Sequence, residues 1–322
     1  MNLRYISRRI VHSMLLLAGI SFFSFALLQL APGDFFDEMR LNPRISAATV
    51  EGLRAQYGLD RSLAVRYARW VRSALRGDLG FSLAYNSPVG PLLKARARNT
   101  LILTGTAALL AWSLAIPLGV WGAASRSRWS NRICGLATSA LLTIPDLLLF
   151  LCLLLVAVRT GWFPTGGMIS PGAENAGLWH GIADLALHLF LPSLGLALVT
   201  LPALTRHVRS AMIDALNSPF VRAARGHGIP RTRLLFRYAF PVAANPLTSL
   251  LGFSVATMLS ASLLAEVILS WPGLGPLLLE ATLAKDIYVV VGTVMLSAVF
   301  LVAGNLLADV LLFATDPRIR VE

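Results

Sequence analysis

The chain has 322 residues, of which 56% are apolar and 14% charged, and it carries a formal net charge of +12. That balance excludes an ordinary water-soluble domain, because apolar runs recur almost from end to end and leave no room for a large water-facing core. Nucleic acid is excluded as a partner: the basic residues fill the gaps between apolar runs, and aromatic and basic residues do not interleave as a stacking platform requires.

The chain opens with Met1 to Arg9 and an apolar stretch from Ile10 to Leu30. The stretch is too long for a signal peptide and lacks a small-residue cleavage site, so it is read as a retained first span. A bilayer core of about 30 Å needs roughly 20 helical residues. Six segments meet that length, near 10–31, 99–123, 133–158, 185–205, 246–269 and 287–313. The fourth is interrupted by Pro192 and Pro202, which spanning helices tolerate when neighbours satisfy the freed carbonyls. Cys134 and Cys152 lie in one apolar stretch at a spacing that fits neither a metal clip nor a redox pair, and are read as packing residues.

Orientation follows from the cations. Arg4, Arg8 and Arg9 precede the first span, and Arg126, Arg128 and Arg132 lie between the second and third. Seven arginines from Arg206 to Arg237 lie between the fourth and fifth, and Arg318 and Arg320 lie in the tail. This side holds 15 basic residues, while the opposite short loops hold only Arg159 and Lys285. The positive-inside rule therefore places both termini in the cytoplasm. The exception is the stretch from Pro32 to Arg98, which carries 11 basic residues yet falls outside; it exceeds the length over which the rule operates. Within it Val50, Leu53 and Tyr57, then Leu63, Tyr67, Trp70, Val71 and Ala74, recur at helical spacing around a turn at Gly58. Two short amphipathic helices are expected, which either pack on one another and the bilayer surface or dock an external partner.

The chain holds no P-loop, since its two lysines, Lys94 and Lys285, follow Leu93 and Ala284 rather than glycine. Hydrolytic motifs fail as well: no histidine begins H-E-x-x-H and no serine sits in G-x-S-x-G. His12, His180, His188, His207 and His227 are assigned to span ends or loops. Ionisable side chains at mid-bilayer cost at least about 2.5 kcal/mol, so Asp146, Glu266 and Asp309 each need a partner or water. Asp146 follows Pro145, which frees backbone groups nearby. Asn305 and Asp309 share a helix face directed to the bundle interior, and Glu266 falls near the external end of the fifth span, within reach of water. Trp271, Pro272 and Gly273 read either as an irregular turn at the outer mouth, with Trp271 at headgroup depth, or as an interfacial anchor alone.

The segment from Asn217 to Pro241 is the most informative. Ser218 suits a helix N-cap, Pro219 the first helical position, and Gly228 the left-handed turn that ends the helix. A helix of about nine residues is marginal alone. Its Ala223 and Ala224 let a partner backbone approach, with Arg222 and Arg225 beside them able to meet carboxylates at the rim of a groove. A basic loop lying on anionic headgroups fits these residues equally well.

Arg222-Ala223-Ala224, then Gly228 and Pro241, resemble the EAA loop of ABC importer permeases, with Arg222 in place of the glutamate, as in the peptide and nickel branch. The resemblance covers nearly the whole chain. Arg8-Arg9, Ala31-Pro32-Gly33-Asp34, Tyr57-Gly58-Leu59-Asp60, Gly77-Asp78-Leu79-Gly80, Ser270-Trp271-Pro272-Gly273-Leu274-Gly275 and Asp316-Pro317-Arg318-Ile319-Arg320 are similar to B-type subunits of dipeptide and oligopeptide permeases. It implies an all-α integral membrane protein of the type I importer fold in the bacterial inner membrane. Its parts would be an N-terminus with the first span (1–31), a periplasmic helical insert between the first two spans (32–98), and a five-helix permease domain (99–322) carrying a cytoplasmic coupling loop (206–245).

The implied complex holds a second, homologous permease, two ATPase subunits that bind ATP and Mg, and a periplasmic or lipid-anchored substrate-binding protein. The subunit itself would be no enzyme and bind no cofactor. Arg222, Ala223, Ala224, Arg225, Gly228 and Pro241 would couple it to an ATPase, and Glu266, Trp271, Pro272 and Gly273 would lie at the outer gate. Import of nickel or a metal chelate is the alternative within this architecture, though no cluster of ligating residues in the spans favours a bare metal. An ion-coupled carrier or channel is the alternative from another class.

Overall fold

A computed structural model describes residues 3–30, 33, 35–36, 46–56, 61–125, 127–172 and 177–315. The helices are α1 (Leu3–Leu30), α2 (Ala47–Gln56), α3 (Leu63–Ala74), α4 (Val89–Ala124), α5 (Arg128–Thr143), α6 (Asp146–Thr160), α7 (Leu178–Asn217), α8 (Pro219–Gly226), α9 (Arg231–Arg233), α10 (Phe240–Ile268), α11 (Leu274–Leu283) and α12 (Ile287–Thr315). A π-helical segment, Leu234–Ala239, joins α9 to α10. A two-stranded antiparallel hairpin, Phe81–Ser82 with Ser87–Pro88, precedes α4. Five helices are long and apolar enough to cross a membrane, or six if the bent pair α5 and α6 is one span.

That bent pair departs from the continuous third span expected over 133–158. The chain turns by 96° between Thr143 and Asp146. The residue before a proline is driven out of the helical region by the ring, and Ile144 is extended (φ −79°, ψ 120°), as is Pro145 after it (φ −58°, ψ 139°). Asp146 then opens a new helix, where its carboxylate in the first turn suits the helix dipole. Pro192 and Pro202, by contrast, lie buried inside the unbroken 40-residue α7. The Cys152 side chain is exposed rather than packed, and that of Cys134 lies outside the described residues.

The chain forms two compact units. One comprises Thr100–Trp271 and Phe300–Glu322, the other Asn2–Asn99 and Pro272–Val299. In the first, Leu103, Ala107, Phe150, Leu196, Met258 and Trp271 belong to one buried cluster. Small residues allow its helices to approach: a Cβ at Gly119 would lie 2.6 Å from the Val208 side chain, and one at Gly252 would lie 2.2 Å from the Ala308 Cβ. Trp112 donates its indole N–H to Ser254 Oγ at 2.9 Å, tying α4 to α10.

In the second unit α3 packs against α1 and the start of α12. Phe25, Trp70 and Val291 are buried together, with Leu63, Tyr67, Val71 and Tyr288 against them. The Gly77-Asp78-Leu79-Gly80 turn holds this arrangement. Asp78 Oδ1 accepts from the Gly80 N–H at 2.9 Å, and the Leu79 carbonyl accepts from Trp70 Nε1 at 3.2 Å. Gly80 has φ +99°, and its absent Cβ leaves room for Tyr288, 3.1 Å away. The resembling segments at 31–32, 34, 57–60 and 316–320 lie outside the described residues.

Candidate functional site: the loop between α7 and α10

Local sequence sets the helix ends as expected. Ser218 Oγ accepts from the Val221 N–H at 3.4 Å, Pro219 occupies the first helical position, and Gly228 has φ +75°. The resulting α8 has 8 residues. Its stability does not wait on another protein, because its inner face packs on its own chain. Val221 is fully buried and Ala224 is buried beside it, in a cluster with Val208, Met212, Ala215, Leu234, Leu235 and Ala239. Burying a valine contributes about 1.5 to 3 kcal/mol, enough to hold a helix that is marginal alone.

The alanine pair is thereby divided: Ala224 faces inward, while Ala223, Arg222 and Arg225 are exposed. Phe220, 53% exposed, lies edge-tilted on Tyr238 with ring centroids 5.6 Å apart. His227 places Nδ1 2.8 Å from the Ala223 carbonyl. The outward surface of α8 is thus a basic and aromatic rim around one small side chain, on a backbone fixed from behind.

Pro241, the last residue of the resembling motif, explains the π-helical turn before it. Proline has no N–H for the carbonyl four residues back and its ring crowds that carbonyl, so the helix enters α10 in a shifted register. The Phe240 N–H accordingly bonds the Leu235 carbonyl, five residues back. This segment buries Leu234, Leu235 and Ala239 against α7 and α8, so α8, the π turn and the start of α10 form one packed body.

Arg231, to which the sequence assigned no role of its own, hydrogen-bonds through its guanidinium to the carbonyl of Ala124, the last residue of α4. A cavity of about 310 Å³ opens beside that contact, lined by Ala123, Ser125, Leu216, Arg225 and Leu235 among others. No local signal reveals this pairing, since the partners lie 107 residues apart.

The remaining predicted residues are dispersed. Glu266 is fully buried and does not reach water near a span end, and Trp271 is fully buried in the core and so is no headgroup anchor. The Trp271 N–H bonds the Glu266 carbonyl at 2.9 Å, folding the end of α10 back over its last turn. In the other unit the Pro272 carbonyl accepts from Asn99 Nδ2 at 2.8 Å, and Gly273 precedes α11. Asp146 is exposed, whereas Asn305 and Asp309 are half-buried. His188 is buried within α7, not at a surface, with Nδ1 2.9 Å from the Asp184 carbonyl. Among the described residues no group of His, Cys, Asp and Glu could hold a metal ion.

Residues 115–321 match the family described as binding-protein-dependent transport system inner membrane component, and residues 2–94 match the N-terminal region of such components. The chain is 36% identical over 320 residues to the oligopeptide transport system permease protein AppB of Bacillus subtilis, covering 98% of this chain and 99% of the relative. It is 34% identical to the oligopeptide permease OppB of Mycobacterium tuberculosis and 31% identical to the dipeptide permease DppB of Escherichia coli, each over 99% of both chains.

Proposed function

The chain belongs to the family of binding-protein-dependent transport system inner membrane components, and from that premise we propose that it is the translocation subunit through which an ATP-driven importer moves di- or oligopeptides. Similarity over full length to relatives named as oligopeptide and dipeptide permeases supports peptide over nickel or chelate as cargo. The observation that carries the mechanism is the two-sided α8, locked inward by Val221 and Ala224 and presenting Arg222, Ala223 and Arg225 outward.

In this reading α8 is the coupling helix and lies in a groove of an ATPase subunit, with Arg222 and Arg225 meeting carboxylates at the rim. ATP and Mg are bound by two such subunits, and a second, homologous permease completes the pathway. A substrate-binding protein delivers peptide from the opposite face. Both termini and the α8 loop are cytoplasmic, following the arginine distribution. Because α8, the π turn and the start of α10 move as one packed body, closure of the ATPases on ATP displaces the ends of α7 and α10 together and switches the spans between two discrete states. Arg222, Ala223, Arg225 and Gly228 carry this contact, while Ala224 and Pro241 shape the body behind it.

The test is uptake of a labelled dipeptide and a labelled oligopeptide by cells expressing the chain with its natural neighbouring subunits. Native uptake that is abolished by Ala223→Glu, with ATPase subunits lost on purification, is the expected result. Uptake undiminished by Ala223→Glu would remove the coupling assignment. Native complexes that concentrate nickel chelates but neither peptide would remove the cargo assignment.

A further inference from the structure

We propose that the outward face of α3 is a docking surface for anionic phospholipid headgroups, seated at the membrane interface beside the first span. The helix has two faces. Arg66 and Trp70 are buried and Tyr67 and Val71 half-buried on the side that meets α1. Arg66 is turned inward over the Phe25 ring, 5.7 Å from its centroid.

The contacts with α1 set the depth. The Tyr67 hydroxyl lies 2.9 Å from Ser21 Oγ, and Phe25 meets both Tyr67 and Trp70, with centroids 5.7 and 6.4 Å apart. The apolar stretch of the first span runs from Val11 to Leu28. At the helical rise Phe25 and Ser21 therefore lie about 5 and 10 Å short of its end. That is the depth, about 5 to 10 Å, to which interfacial amphipathic helices sink.

The opposite face carries Arg69 and Arg72, with Val65 beside them at 43% exposed, and Arg61 just before the helix and Leu75, at 84%, and Arg76 just after it are exposed as well. Positions 65, 69 and 72 recur at helical spacing and form one stripe, with Arg61 before its start and Arg76 beyond its end. The helix contains no aspartate or glutamate, and among the described residues none of these four arginines forms an ion pair. Exposed Val65 and Leu75 add apolar contact area to this basic face. Guanidiniums interleaved with apolar side chains at this depth match phosphodiesters lying over acyl chains, and arginine stems are long enough to lift their heads to that level. The same contact gives a role to the excess of basic residues between the first two spans.

Amide hydrogen exchange over residues 61–76 of the full-length protein, in nanodiscs of phosphatidylglycerol or of phosphatidylcholine, tests this. Exchange is expected to be about tenfold slower in phosphatidylglycerol, with the difference lost in an Arg69→Gln, Arg72→Gln, Arg76→Gln variant and in high salt. Should the triple variant fail to fold, Arg69→Gln and Arg72→Gln separately should each shrink the ratio severalfold. Equal exchange in the two lipids overturns the proposal. So does slowing in phosphatidylcholine that appears only when the soluble substrate-binding protein is added, which would assign the stripe to an acidic protein surface.

Discussion

The guanidinium of Arg231 donates to the main-chain carbonyl of Ala124, so the segment that follows α8 is tied to the end of α4 across 107 residues. A cation at a helix C-terminus satisfies a carbonyl that has no partner within the helix and complements the helix dipole. The contact also links a loop that would be moved by an ATPase to a span that must move with it. Arg231→Ala is expected to leave assembly of the complex intact while lowering uptake per ATP hydrolysed by about tenfold, with Arg231→Lys recovering part of the loss. Parallel measurement of hydrolysis and uptake in proteoliposomes decides this. Equal loss of both would mean that Arg231 only stabilises the fold.

Gly228 offers a test of backbone conformation without steric clash. Its φ is +75°, and a Cβ added there would meet nothing within 4 Å. A β-branched residue is strained at such an angle by roughly 1 to 2 kcal/mol, whereas asparagine tolerates it. Gly228→Val should therefore abolish uptake at normal expression, and Gly228→Asn should retain most of it. Normal uptake by the valine variant would remove the turn from the coupling mechanism.

The crossing of α10 and α12 depends on small residues from both helices. Gly252 and Ala256 face Gly304 and Ala308, and the Gly252 position approaches Ala308 closely enough to exclude any Cβ. Such spacing lets backbones pack in lipid, where no hydrophobic force drives helices together. Gly252→Ala is expected to cost about 1 to 3 kcal/mol through overpacking. The temperature of thermal inactivation in detergent should fall accordingly, and Ala308→Gly introduced alongside should recover only part of the loss, since the Ala308 Cα at 2.7 Å and N at 2.8 Å still crowd the new Cβ.

The hairpin before α4 is held to α11 and to the residue preceding α12 by carboxylates. Asp286, almost fully buried, accepts from Ser82 Oγ at 2.7 Å and from the Ala84 N–H at 3.0 Å, and Tyr85 donates its hydroxyl to Glu280. Asp286→Ala leaves those donors without their acceptor, a loss of about 1 to 3 kcal/mol, and should expose the hairpin to limited proteolysis.

Burial, then the hydrogen bond to Glu280 and its charge, push the Tyr85 hydroxyl up to about 12 against the partial relief from Arg96. The folded state thus favours the protonated phenol. Its contribution is complete below the ordinary tyrosine value of about 10 and is lost as pH rises through about 12. Phenolate absorbance of the native protein should show one late-titrating tyrosine, absent in Tyr85→Phe.

Length and local chemistry made much of this molecule legible in its sequence. Apolar stretches of about twenty residues marked the spans, because a bilayer leaves the backbone no other means of satisfying its own polar groups than a helix of that length. Ser218, Pro219 and Gly228 fixed α8, because caps and left-handed turns depend on neighbouring residues alone. The break at Pro145 was also written locally, in a proline followed by an acid that starts a new helix, yet the high apolarity on both sides masked it.

What tertiary structure decided is which face of each element looks inward. Glu266 and Trp271 sit at a span end by sequence but are enclosed by the fold, and Ala223 and Ala224, adjacent and identical, point to opposite environments. Tyr67 and Trp70 could have covered a bilayer surface and instead join Phe25 of the first span. Arg231 finds its acceptor in a different helix. These outcomes rest on contacts between residues far apart in the chain, whose free energies depend on which surfaces meet and not on the identity or spacing of the residues in either segment alone.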